Sequence, residues 1–117
     1  MKSLRRAFTL VEIMIVVLII GILVAIAVPN FVKARESART KACIANLRQI
    51  DSAKEQYGID NRLSAGSTIS GFSVLAGAGT TTYMKTTPQC PSGGAYTINA
   101  LGTNPVCSFS ASGHILP

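Results

Sequence analysis

The fold is decided by the stretch FTLVEIMIVVLIIGILVAIAV, residues 8–28. As a helix it is about 31 Å long, which matches the hydrocarbon thickness of about 30 Å in a bilayer. Its side chains are apolar on every face and show no alternation with period two, so the pattern predicts a membrane helix rather than a strand. Glu12 is its only charge. Because a carboxylate near the middle of a membrane helix costs about 2.5 to 3.5 kcal/mol, Glu12 needs a partner.

Length and charge limit the remaining possibilities. The chain has 117 residues, which suffices for one small domain after the apolar helix and excludes a large enzyme core. The net charge is +6, but Lys2, Arg5 and Arg6 precede the apolar stretch. Basic residues interleaved with stacking aromatics are missing, so nucleic acid is not indicated as a partner.

The orientation in the membrane does not follow from charge alone. Lys2, Arg5 and Arg6 precede the apolar stretch, and Lys33 and Arg35 are among the basic residues after it. We expect a cytosolic N-terminus, because short basic leaders normally stay there and distal cysteines favour an oxidising compartment.

Two simple interpretations of the apolar stretch compete. A permanent single-pass anchor explains the length but leaves Glu12 unexplained. A secretory signal peptide would be cleaved after Ala25-Ile26-Ala27, a small-x-small site, and the mature chain would begin at Val28. Against that interpretation, the sixteen uninterrupted apolar residues 13–28 are long for a signal peptide and lead into a second helical pattern.

A third interpretation comes from the residues around the start of the stretch, RRAFTLVE at positions 5–12. They resemble the processing site of type IV prepilins and of the pseudopilins of type II secretion systems. That site has a small residue before a phenylalanine and Glu at the fifth mature position. Gly21 and Pro29 also fall where the family usually has glycine and proline. Ala7 stands where glycine is usual, which affects the expected efficiency of cleavage.

The resemblance implies a processing step and a filament. Prepilin peptidase would cut between Ala7 and Phe8 on the cytosolic face and methylate the new amine of Phe8. Before assembly the chain would be a single-pass protein of the inner membrane, surrounded by lipid. An inner-membrane assembly platform would then extract it from the membrane. It would join a helical homo-oligomer, as an extracellular or periplasmic filament. Glu12 would face the Phe8 ammonium of a neighbouring subunit; alternatively its side chain would fold back towards its own amine.

Gly21 and Pro29 predict a weak segment in the helix. Pro29 cannot donate a hydrogen bond to the carbonyl of Ala25, and glycine is a poor helix former. We expect either melting between them during assembly or a simple kink at the membrane exit.

From residue 30 to residue 57 the pattern becomes amphipathic. The apolar face consists of Ala42, Cys43, Leu47, Ile50, Ala53 and Tyr57. The opposite, solvated side is predicted to carry Lys41, Arg48, Asp51, Lys54 and Glu55. Gly58 is the expected C-terminal stop.

The expected fold class is α+β and pilin-like: one long helix whose amphipathic half packs on a small antiparallel sheet. The expected organisation is a leader at 1–7, an assembly half of the helix at 8–29, an amphipathic half at 30–57 and a head at 58–117. Strands are expected at 80–84, 95–100 and 106–110, the last two as a hairpin, with a helical turn at 73–76.

The cysteines predict a disulfide. Cys90 and Cys107 are the expected pair, which would stabilise the head by roughly 3 kcal/mol. Cys43 is then free, or pairs with either of them, and the sequence does not choose. A zinc site is the alternative, but no C-x-x-C pair exists and His114 is the only histidine. We therefore expect no metal and no cofactor.

The head shows no catalytic pattern, so we expect a structural protein and not an enzyme. A type IV pilus subunit is preferred over a secretion pseudopilin. The segment Asp60-Asn61-Arg62 and the Ser/Gly-rich stretch after it lack the tyrosine-proline pattern and the acidic calcium loop usual in major pseudopilins.

Overall fold

A computed structural model describes residues 5–77 and 82–117. Its elements are the helix α1 at Leu10–Asp60, a 3-10 helix at Phe72–Val74, the strands β1 at Tyr96–Thr97 and β2 at Val106–Cys107, and a 3-10 helix at Ser110–Ser112. The predicted α+β class with one long N-terminal helix and a small antiparallel sheet is confirmed. The chain divides into two compact units, Met1–Glu36 and Ser37–Pro117.

The first unit contains the N-terminal half of α1. An 18-residue window of the helix has a mean hydropathy of 3.2 with none of it buried, so its length and composition suffice to cross a membrane. The helix continues through both Gly21 and Pro29 without a break. A methyl group added at Gly21 would meet nothing within 4 Å among residues 5–77 and 82–117, so no close contact within these ranges requires glycine there.

The second unit is built on the C-terminal half of α1. Cys43, Leu47, Ile50 and Ala53 are buried, as predicted. Ala42 was expected on the same face, but it is exposed. It directly precedes Cys43 in the helix, so its side chain points away from the buried stripe that Cys43 begins. The stripe follows the helical spacing i, i+4, i+7 and i+11 from Cys43.

Lys54 is the fourth position of that stripe, and the prediction that it faces solvent is wrong. Its side chain is fully buried. The ammonium donates to the backbone carbonyls of Ile98 at 3.4 Å, Ala100 at 3.2 Å and Thr103, and lies 3.4 Å from the Asp51 carboxylate. Lys54 is tolerated inside because it is hydrogen-bonded and paired there.

The end of α1 also differs from the prediction. The helix continues past Gly58, which is buried and packs against Leu101, and ends at Asp60. Arg62 has the left-handed φ of 53°. The Leu63 N–H donates to the Gly58 carbonyl at 2.8 Å and the Arg62 N–H to the Ile59 carbonyl at 3.1 Å. These two bonds form a Schellman motif with arginine at the usual glycine position.

The predicted hairpin is confirmed, but its strands are shorter. Tyr96 pairs with Cys107 and Thr97 with Val106 in antiparallel register. The predicted strand at 106–110 gives way to the 3-10 helix Ser110–Ser112. The predicted strand at 80–84 lies partly outside the described residues; within them, Met84 forms an isolated parallel bridge with Ala76.

The core of the second unit has two buried clusters. One joins α1 to the segments before and directly after β1 and consists of Ile50, Ala53, Leu75, Met84 and Ile98. The other consists of Cys43, Leu47, Cys90 and Cys107. The predicted helical turn at 73–76 corresponds to the 3-10 helix Phe72–Val74, which starts one residue earlier.

Candidate functional site

The first candidate site is the N-terminus of α1. Thr9 is the residue before the helix, and its hydroxyl accepts a hydrogen bond from the Glu12 backbone N–H at 3.2 Å. The Glu12 carboxylate accepts one from the Thr9 backbone N–H at 2.9 Å and one from the Thr9 hydroxyl at 3.2 Å. This reciprocal pair is a capping box. It satisfies backbone donors that the first helical turn otherwise leaves unpaired.

This capping box was not among the features predicted from the sequence. The signal was present as T-x-x-E at positions 9–12, immediately before an apolar run. The Glu12 carboxylate therefore has a partner in its own chain. That partner is Thr9, one residue away from the amine that the intramolecular alternative named.

The predicted processing residues lie outside the helix. Ala7 and Phe8 precede α1, both are exposed, and the Phe8 side chain is 83% accessible. Arg5 and Arg6 are likewise exposed and non-helical, whereas Lys2 lies outside the described residues. Exposed, non-helical segments near a terminus are where proteolytic cleavage concentrates.

The second candidate site lies in the Ser37–Pro117 unit and joins four side chains that are far apart in sequence. The sulfur atoms of Cys43, Cys90 and Cys107 and a ring nitrogen of His114 all lie within 4.8 Å of one another. All four residues are buried. Cys43 comes from α1, Cys107 from β2, and Cys90 and His114 from the segments before β1 and after the second 3-10 helix.

His114 is held by both ring nitrogens. Its Nδ1 lies 3.7 Å from the Cys90 sulfur, and its Nε2 lies 3.2 Å from the Thr40 hydroxyl. The Phe109 ring stands 5.9 Å from the imidazole centroid. The ring is therefore fixed with Nδ1 towards the thiols and Nε2 towards α1.

The thiols differ in acidity because their surroundings differ. Burial raises the pKa of Cys43 to about 12, although the Tyr96 hydroxyl beside it acts in the opposite direction. Burial also acts to raise the pKa of Cys90, but hydrogen bonds from the backbone N–H groups of Ser92 and Gly94, with His114, outweigh it and bring the pKa to about 6. Of these two thiols, Cys90 is therefore the more readily ionised.

The three cysteines are free thiols in the structure. The disulfide between Cys90 and Cys107 stays a prediction, as do the pairings of Cys43 with either of them. The three sulfur atoms lie within 4.8 Å of one another, so the distances between them exclude none of these pairings.

Comparisons with known proteins concern mainly the first site. The family model described as the prokaryotic N-terminal methylation motif matches residues 2–28. The type II secretion system core protein G of Pectobacterium carotovorum subsp. carotovorum is 37% identical over 57 residues, which cover 49% of this chain and 36% of that protein. The type IV major pilin protein PilA of Myxococcus xanthus is 46% identical over 53 residues, 45% of this chain and 24% of that protein. These two matches therefore span well under half of each relative.

A longer match extends into the second unit. The type II secretion system core protein G of Aeromonas hydrophila is 30% identical over 105 residues, 81% of this chain and 73% of that protein. No solved structure matches the chain.

An exposed apolar helix, capped at its N-terminus and preceded by a basic segment with a methylation motif, defines a pilin-like protein. The chain belongs to the family of type IV pilins and type II secretion pseudopilins.

Proposed function

We propose that the chain is a structural subunit of a type IV pilus-like filament. Prepilin peptidase cleaves it between Ala7 and Phe8 and methylates the Phe8 amine, and the subunits then polymerise through the first half of α1. One observation carries this proposal: the exposed, apolar first half of α1 bears one carboxylate, Glu12, inside the segment that matches the methylation motif.

The exposed apolar surface needs a covering. The large apolar side chains of α1 from Leu10 to Val32 are between 49% and 77% accessible. So large an apolar surface marks a contact with membrane or protein. In the proposed function the inner membrane covers it first, with the N-terminus cytosolic, and other copies of the chain cover it in an extracellular or periplasmic filament.

The further partners are prepilin peptidase and an inner-membrane assembly platform. The role is structural and non-catalytic, in keeping with relatives that are named as a pilin and a secretion core protein. Removal of the basic leader, including Arg5 and Arg6, deletes charges that hold the helix end at the inner leaflet, so extraction from the membrane becomes less costly.

Glu12 has two roles that can be separated. Within one chain it caps α1 through Thr9. In the filament it would neutralise the Phe8 amine of a neighbouring subunit, where the low dielectric makes pairing favourable and mispairing costly. Glutamine serves as well as glutamate in a capping box but carries no charge.

The experiment compares Glu12→Gln, Glu12→Val and Thr9→Ala with the wild-type chain. We expect all of them to insert in the membrane. Both Glu12 variants should fail to enter filaments, because both lack the charge, whereas Thr9→Ala should still assemble. Membrane fractionation and immunoblotting of sheared filaments provide the readout. If Glu12→Gln assembles normally, Glu12 acts through the cap alone and the intermolecular pair is refuted.

Intact mass of the membrane-extracted chain tests the processing step. We expect a chain that begins at methylated Phe8. A chain that begins at Val28 would support ordinary signal cleavage after Ala27 and a secreted binding protein, and an uncut chain would support a permanent anchor. The continuity of α1 through Ala25-Ile26-Ala27 opposes signal cleavage there, because a peptidase needs an extended backbone.

A second candidate is a pseudopilin of a type II secretion system. It is favoured by the Aeromonas hydrophila core protein G, which aligns with 81% of the chain. Expression in a strain that lacks its own core protein G distinguishes the two. Restored secretion supports the pseudopilin, and surface filaments without restored secretion support the pilus subunit.

A further inference from the structure

We propose that Cys43, Cys90, Cys107 and His114 bind one zinc ion as a closed Cys3His site. The sulfur atoms and the imidazole nitrogen lie within 4.8 Å of one another. In tetrahedral zinc sites, with Zn–S near 2.3 Å and Zn–N near 2.0 Å, ligand atoms stand about 3.5 to 3.8 Å apart. The separation of 3.7 Å between the Cys90 sulfur and His114 Nδ1 already has that value.

The ligand atoms are supported as metal ligands usually are. A zinc-bound histidine commonly donates its second ring N–H to an oxygen, which fixes the tautomer. His114 meets this condition, because Nε2 lies 3.2 Å from the Thr40 hydroxyl while Nδ1 faces the sulfurs. Backbone N–H groups of Ser92 and Gly94 reach the Cys90 sulfur, where they would stabilise a bound thiolate.

Zinc accounts for all four buried groups, whereas a disulfide accounts for two. If Cys90 and Cys107 formed a disulfide, Cys43 and His114 would remain as buried polar groups beside it, at 0% and 1% exposure. A zinc ion uses every one of them. Three thiolates with one imidazole are a common structural zinc ligand set, and four protein ligands leave no open position for catalysis.

The site would connect α1, β2 and the C-terminal segment, which few backbone hydrogen bonds hold together. Cys43 lies on α1, Cys107 on a two-residue strand and His114 near the C-terminus. A two-stranded sheet of this size is barely stable alone. Zinc binding, with release of the thiol protons, would add its free energy directly to folding of the Ser37–Pro117 unit.

The sequence did not predict this site, because the cysteines lack C-x-x-C spacing and His114 is the only histidine. The fold supplies what the spacing lacks, since α1, β2 and two loops each bring one ligand to the same place. The inference is independent of filament assembly, so a failure of either proposal leaves the other standing.

The test uses the full chain, purified in detergent with a reductant, and measures its metal content by mass spectrometry. We expect one zinc per chain, and loss of most of it in His114→Ala and Cys107→Ser. Thr40→Val keeps all four ligands but removes the oxygen that holds His114, so it should bind zinc about 10- to 100-fold more weakly. Ser110→Ala, at an exposed position outside the cluster, is the matched control and should keep full zinc content.

A second measurement does not depend on the variants folding. Cobalt(II) added to the metal-free wild-type chain should give the strong visible bands of tetrahedral coordination and sulfur-to-cobalt charge transfer, and zinc should displace it. Wild-type chain that binds neither ion under reducing conditions would overturn the proposal. So would a Cys90–Cys107 disulfide found by peptide mapping in chain isolated from the cell envelope without zinc.

Discussion

The Glu12 carboxylate and the Thr9 backbone are bound to each other at the start of α1, with the Thr9 N–H 2.9 Å from Glu12 Oε2. The Thr9 hydroxyl in turn accepts a hydrogen bond from the Glu12 backbone N–H at 3.2 Å. The same carboxylate that the filament would use is therefore already occupied in the single chain. Assembly would exchange a hydrogen bond to an exposed backbone group for an ion pair in an apolar surrounding.

The first prediction concerns this cap. Thr9→Ala removes the hydroxyl that accepts the Glu12 N–H and should weaken the start of α1 by about 1 kcal/mol. Hydrogen exchange of the amides of the first turn, measured in detergent, should be faster by about five- to tenfold. Thr9→Ser is the control, because serine caps equally well and should leave exchange unchanged. Equal exchange in Thr9→Ala would show that the cap contributes nothing in detergent.

The second prediction concerns Lys54. Lys54→Ala leaves the carbonyls of Ile98, Ala100 and Thr103 without their buried donor, and should destabilise the Ser37–Pro117 unit by about 3 kcal/mol or more. The three tyrosines of the chain all lie in this unit, so tyrosine fluorescence during urea unfolding reports on it alone.

Lys41 provides the matched control for Lys54. It lies on the same helix but is exposed, so Lys41→Ala should change the stability by less than about 0.5 kcal/mol. Similar stabilities of the two variants would mean that the buried ammonium is not a structural link between α1 and the segment that connects β1 to β2.

Local sequence signals predicted most of the fold, but they did not predict the environment of Lys54 or of the cysteine cluster. The long helix, its apolar half, the stripe at Cys43, Leu47 and Ile50 and the hairpin all follow from periodicity and turn residues, which are local signals. Lys54 was assigned to solvent by its charge, although its helical spacing places it in the stripe. Its acceptors come from a loop distant in sequence, and periodicity does not report on such partners.

The candidate sites divide in the same way. Glu12 and the segment around Ala7 and Phe8 were identified because the residues that mark them are adjacent in the sequence. The capping box, which was not predicted, also depends on only four consecutive residues. The proximity of Cys43 and His114 was not predictable, because it depends on how the segment after β2 returns to α1.

The third prediction concerns the C-terminus of α1. Arg62 adopts φ 53°, a left-handed conformation that costs a non-glycine residue roughly 1 kcal/mol. Arg62→Gly should therefore raise the free energy of unfolding by up to about 1 kcal/mol, detected by tyrosine fluorescence in urea. Arg48→Gly, at an exposed position inside the helix, should instead lower it by about 1 kcal/mol. A loss of stability in Arg62→Gly would contradict the Schellman motif.

The fourth prediction concerns Gly58. A methyl group there would lie 2.8 Å and 2.9 Å from the terminal carbons of Leu101. Gly58→Ala improves helix propensity but forces Leu101 to move, so we expect a net destabilisation of about 1 to 2 kcal/mol. The double variant with Leu101→Val relieves the clash and should recover part of the loss. Unfolding in urea measures the stability of both variants. If Gly58→Ala is more stable than the wild-type chain, the Leu101 side chain moves aside without a measurable cost.

The fifth prediction concerns Gly94, which lies against the cysteine cluster. A methyl group there would stand 2.8 Å from the Cys107 sulfur and 2.7 Å from the Phe109 ring. Gly94→Ala must therefore displace Cys107, and should cost about 1 to 3 kcal/mol while lowering zinc affinity. Gly93→Ala is the informative control. Its φ of 84° makes alanine strained by roughly 1 kcal/mol, but no atom in the described part of the chain lies within 4 Å of the added methyl. Both variants should lose stability, yet the affinity for zinc, measured by competition with a chelator, should fall in Gly94→Ala alone. An equal fall in both would mean that general loosening of the unit, rather than the position of the Cys107 sulfur, controls metal binding.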